Sequence, residues 1–505
     1  MPNSESLAYE SLTSYARETA LLVDIQSALF WDERTYMPSV GGDYRAEQLA
    51  YLSGEIHRRQ TDPRQDEWLA ELEGSPLAAD PASDAGCVIH QLRRDYDKKT
   101  KLPQTLVEEI TRTGSLAHNV WVEARKANDF ARFQPLLEKM VDLKRQEAEA
   151  IGYDDQPYDA LLDDYEPGAK TAEVAQVLGG LREALVPLVQ AIADSPHRPD
   201  VSILQRSYPI EAQREFGQSG AAAIGFDFDA GRLDVTAHPF CCGVGPHDVR
   251  LTTRYDEHAF GDAFFSILHE VGHGIYDQGL PAEHHGLPTG EAVSLGIHES
   301  QSRMWENQVG RSLSFWEHLY PQAQQAFPAA LDGVPLDDFY RAVNDVRPSL
   351  VRVDADEVTY NLHVLVRFEL ETALFDRSLE VADLPEAWNA KYREYLGVES
   401  PTDSDGVLQD VHWSEGLFGY FPTYALGNLY AAQFFEQAQA DIPGLEAGFA
   451  EGRFTELCEW LRSQIHSQGR RFAPADLVER VTGKPLSHQC LLDQLTRKFG
   501  GIYRL

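Results

Sequence analysis

The chain has 505 residues, is 43% hydrophobic and carries 8 Trp, 21 Tyr and 23 Phe, enough to bury a large core and too apolar for a disordered protein. Eighty acidic residues against 44 basic ones give a net charge of −36, a balance that repels nucleic acids and anionic membranes and speaks against either as a partner. Only ten of the basic residues are Lys. Such an acidic, Lys-poor surface is expected of a halophilic protein whose salt-rich surroundings screen its self-repulsion; an Arg-rich genome gives the same counts by composition alone.

In chain order, the N-terminal "MPNSESLAYESLTSYARET" lacks the basic start and apolar run of a signal peptide, and no later stretch is long and apolar enough to span a membrane, so a cytoplasmic protein is expected. Apolar residues at three- and four-residue spacing predict helices over 11–32 and 171–195. Turn clusters interrupt such runs at 194–200 and 400–406. From about 226 to 255, short alternating runs around a Gly/Pro turn at 243–246 predict a strand–turn–strand element whose edge could align an extended peptide. Five cysteines, Cys87, Cys241, Cys242, Cys458 and Cys490, are too scattered for a disulfide framework and read as free, buried thiols. The expected architecture is mostly α, one catalytic domain over 1–505 forming a large two-lobed helical body, with a small β-sheet beside the helix at about 261–278.

That helix carries "SILHEVGHGIYDQG", residues 266–279. Four residues apart on one helical face, His269 and His273 can reach a single Zn²⁺, and Glu270 would flank the open position as the base for an attacking water. Gly272 and Gly274 weaken the helix, which points to close packing or ligand clearance on that side. Tyr276 and Gly279 stand where a metzincin needs Gly and His, so the third ligand must come from elsewhere. The nearby donors are Glu283, His284, His285, Glu291, His298 and Glu299. The first three lie in turn-rich "PAEHHGLPTG", whereas 291–310 reads as a helix with Glu299 at its middle, and Glu299 is the ligand this reading selects.

The chain resembles the thermostable metallocarboxypeptidases typified by carboxypeptidase Taq. Six motifs in order carry the resemblance: His238-Pro239-Phe240; "DVRLT" from Asp248; the HExxH at 269–273; "HESQ" from His298; "VRVDAD" from Val351; and "GVLQDVHW" from Gly406. "FWDERTYMPSVGGDYRAEQLA" and "YDALLDDYEPG" extend it over the first half. The departure is Val351, where the family has Ile or Asn. The resemblance implies a homodimeric helical fold with a deep active-site groove, shared with neurolysin and angiotensin-converting enzyme. It also implies removal of single C-terminal residues from peptides with broad specificity. The metal implied is Zn²⁺ with Co²⁺ as a substitute, the ligands are His269, His273 and Glu299, and the base is Glu270.

An exopeptidase needs a cation for the terminal carboxylate, and Arg352 suits that role; its competing assignment is a structural pair with Asp354 or Asp356. Arg250 reads as structural, paired with Asp248. Oxyanion donors are expected among His412, Tyr420 and Tyr424, by similarity to the wider fold group, although an aromatic run is also ordinary core. His238 is expected to line the groove, and His298 to orient the neighbouring Glu299. Two other functions fit parts of the sequence: a zinc oligopeptidase cutting internally, which has no need of Arg352, and an inactive peptide-binding helical scaffold, which has no need of Glu270.

Overall fold

The computed structural model describes residues 4–505. Helices dominate, and the strands form a single three-stranded sheet among the described residues. The first helix, Ser4–Thr35, buries Ala8, Leu12, Tyr15 and Thr19 along one stripe, the spacing that predicted a helix over 11–32. With Leu69, Leu72 and Ile89 from the next helices, Ala8 and Leu12 make a small core of their own. Most of the other large buried side chains join one continuous core that includes the buried face of the HExxH helix. The predicted helix over 171–195 is Thr171–Asp194.

The sheet holds β1 (Gly231–Val235), β2 (Cys241–Gly243) and β3 (Val249–Thr253) in the order β1-β3-β2. The expected strand–turn–strand is the antiparallel β2–β3 hairpin, in register Cys241 to Leu251 and Gly243 to Val249. The parallel strand β1, paired Gly231 to Val249, was not foreseen. After β1 the chain crosses to the far edge and returns through β2, so β3 ends in the middle. Alternation in sequence marks strands but not their order. Both outer strands are tied to the first helical segment: Tyr36 Oη donates to Asp234 at 2.5 Å, and Cys242 Sγ lies 3.7 Å from the Ser27 carbonyl.

The HExxH helix runs Phe260–Gly279 and is apolar almost all round. Its first turns lie in an aromatic cluster where Phe260 and Phe264 stack at 5.5 Å and Trp316 meets Phe339 edge-on at 4.7 Å. The helix expected over 291–310 is shorter, Leu295–Arg303, followed by a π-helical turn over Met304–Val309. Residues 291–294 stay outside it because Ser294 is the N-cap, its Oγ accepting from Ile297 N at 3.0 Å. Buried Glu166 fixes this start by accepting from Ser294 Oγ and Gly296 N. No helix among the described residues is long and apolar enough to cross a membrane. All five cysteines are free, with Cys241 and Cys242 only half-buried.

Candidate metal centre and active site

The HExxH helix and the Leu295–Arg303 helix pack so closely that a Cβ on Gly272 would meet Ser302 Cα at 2.5 Å. Gly274 is likewise filled by Phe226 and Leu251 of the sheet side, so both glycines serve close packing. A third helix, Phe421–Asp441, closes on Glu299 through Gly427, whose Cβ would lie 2.6 Å from Glu299 Cγ. This packing brings His269, His273 and Glu299 together, with one ligand atom of each within 4.8 Å of the others. Glu299 Oε2 lies 3.7 Å from His269 Nε2 and 3.5 Å from His273 Nε2. Ligands about 2.0–2.2 Å from a tetrahedral ion stand roughly 3.3–3.6 Å apart, so the three atoms fit one ion with little movement.

Partners around this trio fix its protonation. Burial opposes charge on Glu306, but His269, Arg303 and Arg311 outweigh it and bring its carboxyl down to about 2. An ionised Glu306 can only accept, so the 3.0 Å contact from its Oε2 to His269 Nδ1 places a proton on Nδ1 and turns Nε2 towards Glu299, the nitrogen that would ligate a metal. Burial opposes charge on this imidazole, but Glu299 and Glu306 outweigh it and raise its pKa. Burial also opposes charge on Glu299; Arg303, whose Nε donates to Glu299 Oε1 at 2.7 Å, and the two histidines overcome it and hold the carboxyl well below its usual range. Burial brings His273 down to about 4, a neutral imidazole able to ligate. Glu270 accepts no hydrogen bond among the described residues, and burial pushes it up to about 7.

Residues 11–499 match the family described as carboxypeptidase Taq (M32) metallopeptidase. The chain belongs to that family. It is 50% identical to thermostable carboxypeptidase 1 of Thermus thermophilus over 98% of this chain and 99% of that one. It is 40% identical to carboxypeptidase 1 of Bacillus subtilis over 94% of this chain and 95% of the relative. A crystal structure of the M32 carboxypeptidase from Deinococcus radiodurans superposes with a TM-score of 0.96 at 41% identity, covering 99% of this chain and 100% of the other. The protein is therefore a metallocarboxypeptidase, a hydrolase of peptides.

In this M32 carboxypeptidase two further motifs meet behind the metal centre. Arg352 is buried, and its partner is neither Asp354 nor Asp356 but Asp410 of "GVLQDVHW": Nε and Nη2 donate to Asp410 Oδ1 at 3.0 and 2.9 Å. Asp356 instead caps the turn before the Tyr360–Phe375 helix, accepting from Val358 N and Thr359 N. Arg367 of that helix takes the other oxygen of Asp410 at 2.8 Å, and Gln409 Oε1 accepts from both Arg352 N and Arg367 Nη2. Arg352 Nη1 donates to Tyr360 Oη at 3.1 Å, and the Arg303 guanidinium lies over the Tyr360 ring at 4.2 Å. Tyr360 thus touches both the arginine that holds Glu299 and the arginine cluster around Asp410.

The three expected oxyanion donors converge here. His412 Nε2 lies 3.3 Å from Tyr424 Oη, and the Tyr420 ring stands 5.3 Å from both His412 and Tyr424. Burial raises both phenols, with the Glu299 charge adding to it and the Arg352 charge opposing it. Tyr424 also stacks under the Arg352 guanidinium at 4.9 Å. Arg250 pairs with Asp248 at 2.7–2.8 Å, as expected. His298 does not hold Glu299; its ring stacks on His273 at 4.4 Å while Nε2 lies 3.0 Å from Asp277 Oδ1. The helix turns His298 towards the HExxH helix, and Glu299 is already engaged by Arg303 and Ser302. His238 is not brought to the cluster: it is exposed in the β1–β2 connection and forms no hydrogen bond or ring contact among the described residues.

Sequence reasoning missed Glu306, Arg303, Asp277, Tyr360, Arg367 and Asp410. Asp277 stands four residues after His273 and Glu306 seven after Glu299, helical spacings that carried the signal. Asp410 lay in the motif "GVLQDVHW" and Arg352 in "VRVDAD", but Arg367 and the pairing of both arginines with Asp410 had no local signal.

Proposed function

We propose that this protein removes single residues from the C-termini of peptides, using Zn²⁺ or Co²⁺ held by His269, His273 and Glu299. The observation that carries the reading is Arg352, whose two Nη atoms each keep an uncommitted N–H, standing one tyrosine away from the arginine that holds Glu299. That separation suits a substrate with one residue beyond the scissile bond and its terminal carboxylate on Arg352. An oligopeptidase cutting internally would leave this cation without a substrate partner.

A metal held by His269, His273 and Glu299 would supply Lewis acidity for the scissile carbonyl and the attacking water. Glu270, buried and without a hydrogen bond, takes the water's proton and delivers it to the leaving amine. Tyr420, Tyr424 and His412 offer donors to the oxyanion. Asp410, anchored by Arg367, holds Arg352 in register for a bidentate grip. Family membership and an intact base leave no support for an inactive scaffold.

Product analysis on an unblocked pentapeptide, with metal content measured in parallel, tests the reading. Release of the C-terminal residue alone is expected, abolished by a chelator and restored by Zn²⁺ or Co²⁺. Cleavage of C-terminally amidated peptides at the same rate would sink the carboxypeptidase assignment. The proposal extends to a cytoplasmic homodimer with one catalytic domain over 1–505, checked by light scattering and limited proteolysis. The net charge of −36 supports halophilic behaviour, with activity held or raised as KCl goes from about 0.1 M, where the screening length is about 10 Å, to about 2 M.

A further inference from the structure

Two cavities of about 450 and 640 Å³ open beside the candidate metal centre, each within the roughly 300–1,000 Å³ range of ligand sites. The larger is reached past His298, which stacks on the ligand His273, and past Tyr165, whose ring meets Tyr420 at 5.1 Å. The smaller is lined by Asp277, the partner of His298. Both share Gln60, Asp95, Lys99, Glu291 and Ala292. If one substrate residue lies beyond the scissile bond, as in the reading above, the rest of the peptide needs this much larger space.

The charges on the shared wall are paired, with one exception. Arg470 holds Asp95 through both Nη atoms at 2.8 Å and reaches Glu291 at 2.9 Å. Lys98 and Arg94 both engage Asp163. Lys99 stands four residues after Asp95 on the Asp84–Thr100 helix, the spacing of an intrahelical ion pair, but Arg470 has drawn Asp95 away. Lys99 is left half-buried, with no hydrogen bond or ion pair among the described residues, in a chain carrying 80 acidic residues. Its pKa is lowered, burial outweighing the attraction of Asp95 and Glu291. An ammonium group that is partly desolvated and unpaired gains from an incoming carboxylate.

We infer that Lys99 forms a specificity subsite for an acidic side chain on the part of the peptide upstream of the scissile bond. The inference rests on the carboxypeptidase reading for the direction of the peptide, and on the cavities and the unpaired ammonium for the chemistry. Arg470 keeps the neighbouring acids from competing. A Glu side chain entering the groove meets Lys99 as its only uncommitted cation on the shared wall.

The test uses N-acetylated tetrapeptides with a constant C-terminal Ala, in which Glu, Gln or Lys is walked through the three upstream positions. At one position the wild-type enzyme should prefer Glu over Gln by about five- to tenfold in kcat/KM at low salt, and 1 M KCl should shrink the preference. Lys99→Gln should abolish the preference, Lys99→Glu should turn it towards the Lys peptide, and Lys99→Arg should retain it. Melting temperatures of the variants identify any loss of fold. If folded Lys99 variants change all three peptides by one factor, or change none, the subsite does not exist. Mass analysis of the products reads the underlying assignment separately: internal cleavage with an intact charge preference would overturn the carboxypeptidase reading and keep Lys99.

Discussion

Two buried clusters meet at Tyr360 and balance their charge differently. In one, the carboxylates of Glu299 and Glu306 face the guanidiniums of Arg303 and Arg311, with Glu270, raised by burial to about 7, and the imidazoles of His269 and His273 beside them. In the other, Arg352 and Arg367 share the single carboxylate of Asp410, an excess of one positive charge. The first cluster offers a donor set to a cation, and buried positive charge without a counter-ion in the second is costly and favours an anion. In the function proposed above these are the metal ion and the peptide's terminal carboxylate.

Substitutions can break this complementarity, and the expected effects are graded. Glu270→Gln removes the proton acceptor while sparing the ligands: kcat should fall by about 10³-fold or more with metal content and melting temperature unchanged. Undiminished activity in metal-loaded Glu270→Gln would remove Glu270 from the chemistry. Arg352→Lys keeps a buried charge beside Asp410 but loses the fork. Its kcat/KM on free-carboxylate peptides should drop about 10²-fold, and equal losses on amidated peptides would deny it the terminal carboxylate. Glu306→Gln weakens the hold on His269 Nδ1, and metal affinity measured by competition with a chromophoric chelator should decline about 10- to 100-fold.

The smallest effect belongs to a buried acid outside both clusters. Glu371 accepts from Tyr158 Oη, Trp413 Nε1 and Gly419 N, and burial still raises it from 4.5 to about 7. Between those values the unfolded chain has lost the proton that the folded chain keeps, so this group's contribution to stability falls as pH rises from 4.5 to 7. Replacing it by Gln removes that titration. The destabilisation caused by Glu371→Gln should therefore be larger at pH 5 than at pH 8 (two values chosen roughly one to two units either side of the folded midpoint), read from denaturant midpoints. A penalty that grows with pH would contradict the raised value.

The ligand trio was legible because helix geometry is local. His269 and His273 share a face by spacing alone, and Glu299 stood out as the acid inside a helix rather than a turn. The same logic, carried one or two turns further, reaches Asp277 and Glu306. The Arg352 site was legible only in part: the motif supplied the cation, but Asp354 and Asp356, the partners of the competing structural assignment, are not the ones it pairs with. Asp410 lies 58 residues from Arg352 and 43 from Arg367, too far for any spacing rule. His238 illustrates the opposite error, a motif residue whose place in the turn could be read but whose side chain points to solvent.

By itself the sequence determined the helical class, the HExxH helix and the sheet element preceding it, since each follows from local periodicity, and it singled out the three donors that the structure brings together. Only the tertiary structure decided the middle position of β3, the pairing of Arg352 with Asp410, the stacking of His298 on His273 and the isolation of Lys99 by Arg470. Each of these is a competition among distant partners for one charge, one ring face or one strand edge. Packing settles such competitions; local pattern does not.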